Sequence, residues 1–278
     1  MAGPLISLLT DFGARDPSAG ILHGVILGIA PDARIVDISH EVRKYAIRDG
    51  ALLLWCALPW MPVGQHVAVV DPGVGTDRRP VAIATGRGDV LIGPDNGLLV
   101  AAAGRVGGID RVHLLEAAAY RLPVISTSFH GRDIFAPAAA HLARGVAIAD
   151  LGRAVDPASL VPSPIAEPTQ QDGALGSSVV YIDTFGNVKL AGLRADLESA
   201  IGPVAPGDVL RMHIAIGPDG VGSAADLQVA WQATFGDVAP GALLLYEDSY
   251  GRICVAASRS NAAAAVGLIE GQPITIRR

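Results

Sequence analysis

The chain has 278 residues, of which half are hydrophobic and 17% are charged, and its net charge is -6. A chain of this length and hydropathy can bury one large core or two modest ones, so intrinsic disorder is excluded as its main state. No basic run is present to bind a nucleic-acid backbone, and apolar runs such as 51–60 are far too short to span a membrane.

Strand and helix patterns alternate through the first 150 residues. Residues 4–9 form a short apolar run with no basic region before it, which predicts a core strand rather than a signal peptide. Further strands are predicted at 34–38, 66–70, 81–84 and 90–92. Helices are predicted at 19–30, at 47–58, from a cap at Asp95 or Asn96 through Ala103, and at 134–143 with Pro137 in the first turn. The alternation predicts an α/β domain with a mainly parallel sheet.

A proline-rich segment at 156–168 follows this region. Four prolines in thirteen residues favour an extended linker. Beyond Ser178, short strands alternate with turns at 184–187, 217–220 and 249–251, which indicates a small β-barrel or sandwich. We therefore predict an N-terminal α/β domain at residues 1–168 and a C-terminal small β-barrel domain at residues 169–278.

The two cysteines, Cys56 and Cys254, lie in apolar strings. Such residues are typical of buried free thiols in a reducing compartment, so we expect a cytoplasmic protein. No Cys-x-x-Cys pair or clustered His and Cys spacing indicates zinc. We expect neither a metal nor a cofactor.

Two acidic residues follow predicted buried strands. Asp11 lies within Thr-Asp-Phe-Gly, where a carboxylate at a strand end can accept bonds from both hydroxyls of a ribose, although the pattern also fits an Asx turn or a helix cap. Asp71 is followed by Gly73 and Gly75, and Arg78 lies close enough to return to it across the loop. A surface loop with a salt bridge is the alternative for this second segment.

Two further polar clusters lie beside predicted turns. His130 stands in Phe-His-Gly-Arg-Asp, just before a helix, where either a structural or a catalytic role is open. Asp183 and Asn187 flank Thr-Phe-Gly, which is ordinary turn chemistry. The amide of Asn187 also offers a donor and an acceptor that could pair with the edge of a purine.

Together these segments resemble the S-adenosyl-L-methionine hydroxide adenosyltransferases, which are adenosine-forming hydrolases related to the fluorinases and chlorinases. The resemblance runs from Leu5 to the C-terminus. It rests on LLTDFG, HGVI, IVDISHEV, DGALLL, VVDPGVGTDRRP, IGPDNGLL, FHGRDIFAPAAAHLA, DTFGNVKL and SYGRICVAASRSNAAAA. It implies hydrolysis of S-adenosyl-L-methionine to adenosine and L-methionine by a homotrimer, in which each ligand lies between the N-terminal domain of one subunit and the C-terminal domain of its neighbour.

The resemblance also implies roles for individual residues. Asp71, Arg78 and His130 match the Asp-Arg-His triad of the water-using members, and either Asp71 or His130 could accept the proton of the water. Asp11 matches the carboxylate that holds the ribose, and Tyr45 matches an aromatic residue beside the reacting carbon. Other positions match groups near the methionine, namely Asp16, Ser18, Asp183, Ser249 and Tyr250. The positions that match groups near the adenine are Asn187, Phe235 and the 256–262 backbone with Ala257.

Three residues depart from the family pattern: Cys254 replaces a frequent Glu, and Ala257-Ser258 replaces a frequent Val-Asn. Three alternatives to the hydrolase are a halide-using synthase, a binding module for adenosine without turnover, and a metal hydrolase. The carboxylate of Asp71 would repel a halide. A pure binding module has no need of the triad, and Asp71 with His130 supplies too few ligands for a metal.

Overall fold

The computed structural model describes residues 3–217, 220–222 and 224–278. The chain folds into two compact units, the first ending at Pro164 and the second beginning at Ile165. This division falls inside the proline-rich segment, slightly before the predicted boundary. In the described ranges, no helix combines the length and the apolar character that crossing a bilayer requires.

The first unit contains a seven-stranded sheet. Its elements are β1 (Leu5–Thr10), α1 (Ser18–Ile29), β2 (Arg34–Ser39), α2 (Ile47–Ala57), β3 (Gln65–Val69), β4 (Pro80–Thr85), β5 (Val90–Pro94), α3 (Val100–Arg105), β6 (Ile109–Leu114), α4 (Ala136–Ala143) and β7 (Ala154–Val155). The strand order is β2-β1-β3-β5-β4-β6-β7. The first four strands in this order are parallel, and the last three continue the sheet antiparallel. The predicted α/β class is confirmed, with the parallel strands forming one half and the centre of the sheet.

Strand β1 is buried along its whole length because helices cover both faces of the sheet. Ile6 and Leu8 pack in one cluster with Leu22 of α1. Leu9 points to the opposite face, where a Cβ added to Gly50 of α2 would lie 3.7 Å from Leu9 Cδ2. A strand packed on both faces holds its carboxyl end in a defined place, and that end leads directly into the first polar cluster.

Two predicted helix starts are wrong. The helix expected from Asp95 or Asn96 begins at Val100. Asn96 Oδ1 accepts the N–H of Leu98 at 3.2 Å, but this bond closes a turn ahead of the helix, and both polar side chains also make tertiary contacts. Asp95 accepts a bond from Arg79 Nε at 2.7 Å, and Asn96 Nδ2 donates to a backbone carbonyl of the neighbouring strand segment at 2.9 Å. The helix expected over 134–143 begins as α4 at Ala136, because Gly131–Phe135 forms a π-helical turn ahead of it.

The second unit is a closed β-barrel, as predicted. Its elements are β8 (Thr169–Gln171), β9 (Ala174–Ile182), β10 (Val188–Leu193), α5 (Arg194–Ile201), β11 (Val209–Ile214), β12 (Ala225–Trp231), β13 (Leu243–Glu247), β14 (Arg252–Ala257), α6 (Ala262–Val266) and β15 (Pro273–Arg277). Seven strands form a ring in the order β9-β10-β14-β13-β12-β11-β15, which closes because β15 pairs with β9. Strand β8 forms a hairpin with the first residues of β9.

The barrel encloses an apolar core that includes Met212, Trp231 and Leu245. The predicted turn at 217–220 contains Pro218 and Asp219, which lie outside the described residues. Cys56 and Cys254 are both buried, as predicted, and form no disulfide within the described residues.

Candidate functional site

A cleft of about 450 Å³ opens in the first unit at the carboxyl ends of β1 and β3. Parallel strands deliver their ends to one edge of a sheet, which is where α/β folds bind ligands. Six predicted site residues line this cleft, namely Asp11, Asp16, Ser18, Tyr45, Asp71 and His130. Sequence reasoning missed Phe12, Lys44 and Phe129, which also line it, although two of these adjoin the motifs quoted above.

Asp11 is almost fully buried, and its carboxylate points away from its own turn. Its Oδ2 accepts a bond from the backbone N–H of Tyr45 at 2.9 Å, and Lys44 Nζ donates to its backbone carbonyl. Helix α1 begins after Pro17, so Asp11 caps no helix, and Tyr45 is too distant in sequence for this bond to be an Asx turn. A carboxylate has acceptor sites beyond the one that this amide uses.

Tyr45 and the pair Asp16 and Ser18 form the rim of this cleft. Tyr45 adopts φ 65°, in the left-handed region that disfavours its side chain, and its ring is 73% exposed. Asp16 Oδ1 accepts bonds from the amide and the hydroxyl of Ser18. These bonds lower the pKa of the Asp16 carboxyl, so it is ionised at neutral pH.

Asp71 and Arg78 form a buried salt bridge across the loop that follows β3. Arg78 Nε donates to Asp71 Oδ1 at 3.1 Å, and Nη2 donates to Oδ2, so the pair is bidentate. The guanidinium also stacks 5.4 Å from the ring centroid of Phe135. Arg78 is absent from the cleft lining and supports Asp71 from behind.

Arg78 also fixes the ring of His130. Its Nη2 lies 3.0 Å from His130 Nδ1. A guanidinium can only donate, so Nδ1 accepts this bond and a neutral ring carries its proton on Nε2. Burial lowers the pKa of His130 and the charge of Arg78 lowers it further, against the opposing influence of Asp71 and Asp133. His130 is therefore neutral at pH 7.

Close backbone packing brings the Asp71 loop to the His130 segment. Gly75 has φ 79°, and a Cβ there would lie 2.4 Å from the carbonyl oxygen of Thr127, so both conformation and space require glycine. On the other side, buried Asp133 accepts bonds from Ser126 N at 2.8 Å and from Arg132 Nε at 2.6 Å. These contacts hold the three triad residues together.

A second cleft, of about 730 Å³, lies in the barrel. Six further predicted site residues line it, namely Asp183, Asn187, Phe235, Ser249, Tyr250 and Ala257, and Arg259 and Ser260 of the predicted 256–262 segment line it as well. Sequence reasoning missed Phe185, Lys189, Tyr246 and Asp248 as lining residues. Lys189 carried a usable signal, because it is a single charge within the otherwise apolar run of β10.

Asp183 and Asn187 form the turn between β9 and β10. Asp183 Oδ1 accepts the backbone N–H of Phe185 and of Asn187 at 2.9 Å each, and Asn187 Nδ2 donates to Asp183 Oδ2 at 2.9 Å. Gly186 has φ 84°, and a Cβ there would lie 2.1 Å from Asn261 Cγ. The tight turn is thus real, and it presents the remaining donor and the oxygen of the Asn187 amide to the cleft.

Aromatic rings and neutral groups form much of the rest of the barrel cleft. The rings of Phe235 and Tyr246 are tilted with centroids 4.9 Å apart. Burial raises the pKa of the Tyr246 hydroxyl and of the Cys254 thiol that faces it on β14, so both are neutral. The charged side chains of Lys189 and Asp248 pair with each other.

No three His, Cys, Asp or Glu side chains converge on a possible metal position in either cleft within the described parts of the chain. Three such side chains do converge elsewhere: His23, Asp37 and His40 lie close together outside both cleft linings.

Comparison with known proteins agrees with these observations. Residues 6–152 match the family model of the SAM hydroxide adenosyltransferase N-terminal domain, and residues 177–275 match that of the C-terminal domain. An (R)-S-adenosyl-L-methionine hydrolase of Salinispora tropica is 40% identical over 98% of this chain and 97% of its own. A hydrolase of the same name from Salinispora arenicola is 39% identical over the same shares. A fluorinase of Actinoplanes sp. is 28% identical over 71% of this chain and 74% of its own.

The fold has a solved counterpart. The crystal structure of an uncharacterized conserved protein from Thermotoga maritima matches with a TM-score of 0.89 at 31% identity, covering 98% of this chain and all of that one. The chain belongs to the SAM hydroxide adenosyltransferase family, and the predicted membership of an enzyme family is confirmed.

Proposed function

We propose that this chain hydrolyses S-adenosyl-L-methionine to adenosine and L-methionine by in-line attack of water at C5′. The observation that carries the proposal is the buried Asp71–Arg78–His130 arrangement at the cleft that also contains Asp11. The names of the relatives support it as well, because the chain is 40% and 39% identical to the two Salinispora hydrolases and only 28% identical to the fluorinase.

The reaction requires little activation of the nucleophile. The C5′–sulfur bond breaks as the C5′–oxygen bond forms, and the sulfonium leaves as a neutral thioether. What the protein must supply is a water molecule held in line with the bond that breaks. Ideal positioning contributes up to about 7–11 kcal/mol to such a step.

The hydrogen bonds of the triad suggest how its members divide the work. With Nδ1 occupied by Arg78, His130 presents an Nε2–H donor that can hold the oxygen of the water. The carboxylate of Asp71 is then the group that accepts a proton from the water. A carboxylate is a weak base, but a weak base suffices because water becomes strongly acidic as it bonds to carbon. Arg78 acts as a positioning residue for both.

Other predicted residues would hold the rest of the substrate. In this proposal Asp11 accepts bonds from the ribose hydroxyls, and Tyr45 lies beside the reacting carbon. Phe235 stacks on the adenine, and Asn187 pairs with its edge. The methionine end would be held by Asp16, Ser18, Asp183, Ser249 and Tyr250, with backbone at Ala257 near the base. In this proposal no metal or cofactor takes part in the reaction. The two buried thiols support a cytoplasmic location.

One incubation in heavy-oxygen water tests the reaction. We expect S-adenosyl-L-methionine to give adenosine that carries one heavy oxygen at C5′, together with L-methionine, both measured by mass spectrometry. The same incubation with added fluoride or chloride should give the same product. A 5′-halogenated nucleoside would establish the halide-using alternative, and binding of adenosine without turnover would establish the binding module.

We also propose a homotrimer in which the barrel cleft of one subunit completes the α/β cleft of a neighbour. His130→Ala lowers turnover in the α/β cleft and Phe235→Ala weakens binding in the barrel cleft, so activity is measured at a substrate concentration far below KM, where both variants are impaired. Mixing the two variants under conditions that exchange subunits should therefore restore part of the activity, because some mixed sites contain no substituted residue. Light scattering would give the mass of the assembly. A fully active monomer would contradict the proposal.

A further inference from the structure

Three metal-ligating side chains from different parts of the first unit meet outside its cleft. His23 comes from α1, Asp37 from β2, and His40 from the segment just after β2. His23 Nε2 lies 2.8 Å from Asp37 Oδ1, and His40 Nε2 lies 3.1 Å from the same oxygen. The three ligand atoms all lie within 4.8 Å of one another. The fold thus assembles a group whose spacing in the sequence gave no indication of a metal.

The ring of His40 is oriented in the way that metal-binding histidines usually are. Its Nδ1 lies 2.8 Å from Thr10 Oγ1, a hydroxyl that can accept the ring N–H. A proton on Nδ1 leaves the lone pair of Nε2 available. Nε2 is buried and makes no well-directed hydrogen bond, even though Asp37 Oδ1 is close. A buried imidazole nitrogen that faces a carboxylate and a second imidazole in this way is suited to ligate a cation.

Access and spacing both suit an ion. The side chains of His23 and Asp37 are 33% and 42% exposed, whereas that of His40 is 11% exposed, so the group opens to solvent on one side. Ligand bonds of about 2.0–2.1 Å in tetrahedral geometry place ligand atoms about 3.3 Å apart. The two short contacts to Asp37 Oδ1 need to open by only a few tenths of an ångström.

We propose that His23, Asp37 and His40 bind a divalent transition metal of the zinc class, with a fourth position open to water. Two imidazoles and one carboxylate suit Zn²⁺, Co²⁺ or Ni²⁺, whereas Mg²⁺ and Ca²⁺ prefer oxygen ligands alone. The ion would join α1 and β2 to Thr10, the residue that precedes Asp11. We expect the bound ion to stabilise this strand end. The proposed metal site does not depend on the proposed hydrolysis.

Zinc alone is the probe that tests this site. The full chain, without a histidine tag and stripped with chelator, is titrated with zinc chloride in a calorimeter. We expect one ion per chain, and we expect His23→Ala and Asp37→Ala each to weaken the affinity at least ~10-fold, since loss of even an indirect support of a zinc ligand costs that much. His213→Ala is the matched control, because His213 pairs with Asp226 at 2.8 Å but has no third ligand beside it in the described residues.

A second measurement separates lost ligation from a damaged fold. Melting temperatures in chelator should be similar for all the variants, whereas zinc should raise that of the wild type and His213→Ala but not that of His23→Ala. Bound Co²⁺ should give the visible spectrum of a site with four or five ligands in the wild type and His213→Ala only. Unchanged zinc stoichiometry and affinity in the His23→Ala, Asp37→Ala double variant would overturn the proposal, as would no zinc binding to the wild type.

Discussion

The cleft of the α/β unit and the cleft of the barrel are lined by different kinds of side chains. In the first, charged groups hold one another, with Asp71 bound on both oxygens by Arg78 and His130 bound by the same guanidinium. In the second, which is larger, aromatic rings are a main part of the lining: Phe235 and Tyr246 are tilted against each other, and the charges of Lys189 and Asp248 pair with each other. Fixed charges suit a step in which charge moves, and aromatic faces suit the recognition of a flat base.

This difference implies a division of labour between the two clefts. Substitutions of Asp71 and His130 in the α/β cleft should reduce the rate of the chemical step, whereas substitutions of the ribose-holding Asp11 and of residues in the barrel cleft should weaken binding. The two kinetic constants, kcat and KM, separate these effects when chemistry is slow.

The largest effect is expected at the triad. Asp71→Asn and His130→Ala should each lower kcat by ~10²–10⁴, the range for a lost acid–base or positioning group, and change KM far less. Steady-state kinetics with S-adenosyl-L-methionine measure both. Asp95→Asn is the matched control, since Asp95 is also a buried strand-end carboxylate paired with an arginine but lies outside the cleft. Near-normal kcat in both triad variants would refute the division.

Asp11 should show the next largest effect, and on binding. Asp11→Ala should weaken adenosine and S-adenosyl-L-methionine by ~10–100-fold, because charge-assisted bonds to ribose hydroxyls contribute about 1.5–3 kcal/mol. Asp11→Asn should be milder. Calorimetry with adenosine and 2′-deoxyadenosine measures the ratio of their affinities, in the wild type and in Asp11→Ala. An unchanged ratio of their affinities in Asp11→Ala, together with a lower melting temperature, would assign Asp11 a structural role only.

A smaller effect on binding is expected at Phe235. Phe235→Ala should raise KM about tenfold and leave kcat nearly unchanged, because stacking on a base contributes about 1–3 kcal/mol. Trp60→Ala is the comparison, since this ring is 72% exposed and lies outside both cleft linings. A fall in kcat without a rise in KM would place Phe235 in the chemical step and remove the distinction between the clefts.

The smallest effect concerns pH. Because burial and the charge of Arg78 lower the pKa of His130, the ring stays neutral as the pH falls to about 6.5, and kcat should decline only below that value. Arg78→Gln removes the nearby positive charge, so the pKa of His130 rises and the acid limb of the profile should move to higher pH. An acid limb that does not move would show that another group controls it.

The order of elements could be predicted where local patterns agree with the fold. Apolar runs ended by Asp11 and Asp71 correctly marked β1 and β3. The helix cap expected at Asp95 or Asn96 failed, since the same polar side chains that cap helices also bond to distant groups when the chain brings them near. The π-helical turn Gly131–Phe135 has no local signature, because tertiary packing around buried Asp133 determines it.

The candidate site was predictable in the same uneven way. Motif residues at strand ends and turns were found, and they line the two clefts. Lys44 and Asp248 were missed although they adjoin the predicted residues Tyr45 and Ser249, whereas Tyr246 lies in an apolar strand and becomes a lining residue only through the packing of the barrel. The group of His23, Asp37 and His40 shows this most clearly, since a helix and an edge strand must pack before its members meet.

Closure of the barrel has a consequence for how the chain folds during synthesis. Strand β9 ends at Ile182, but its partner β15 begins only at Pro273, so the ring stays open until nearly the whole second unit has left the ribosome. Until then, β9 and β11 each have an unpaired edge where β15 will bind. Unpaired strand edges are prone to association between chains. Pairings of this sequence separation also form slowly. The barrel cleft is therefore a late product of synthesis, whereas the α/β cleft can form while translation continues.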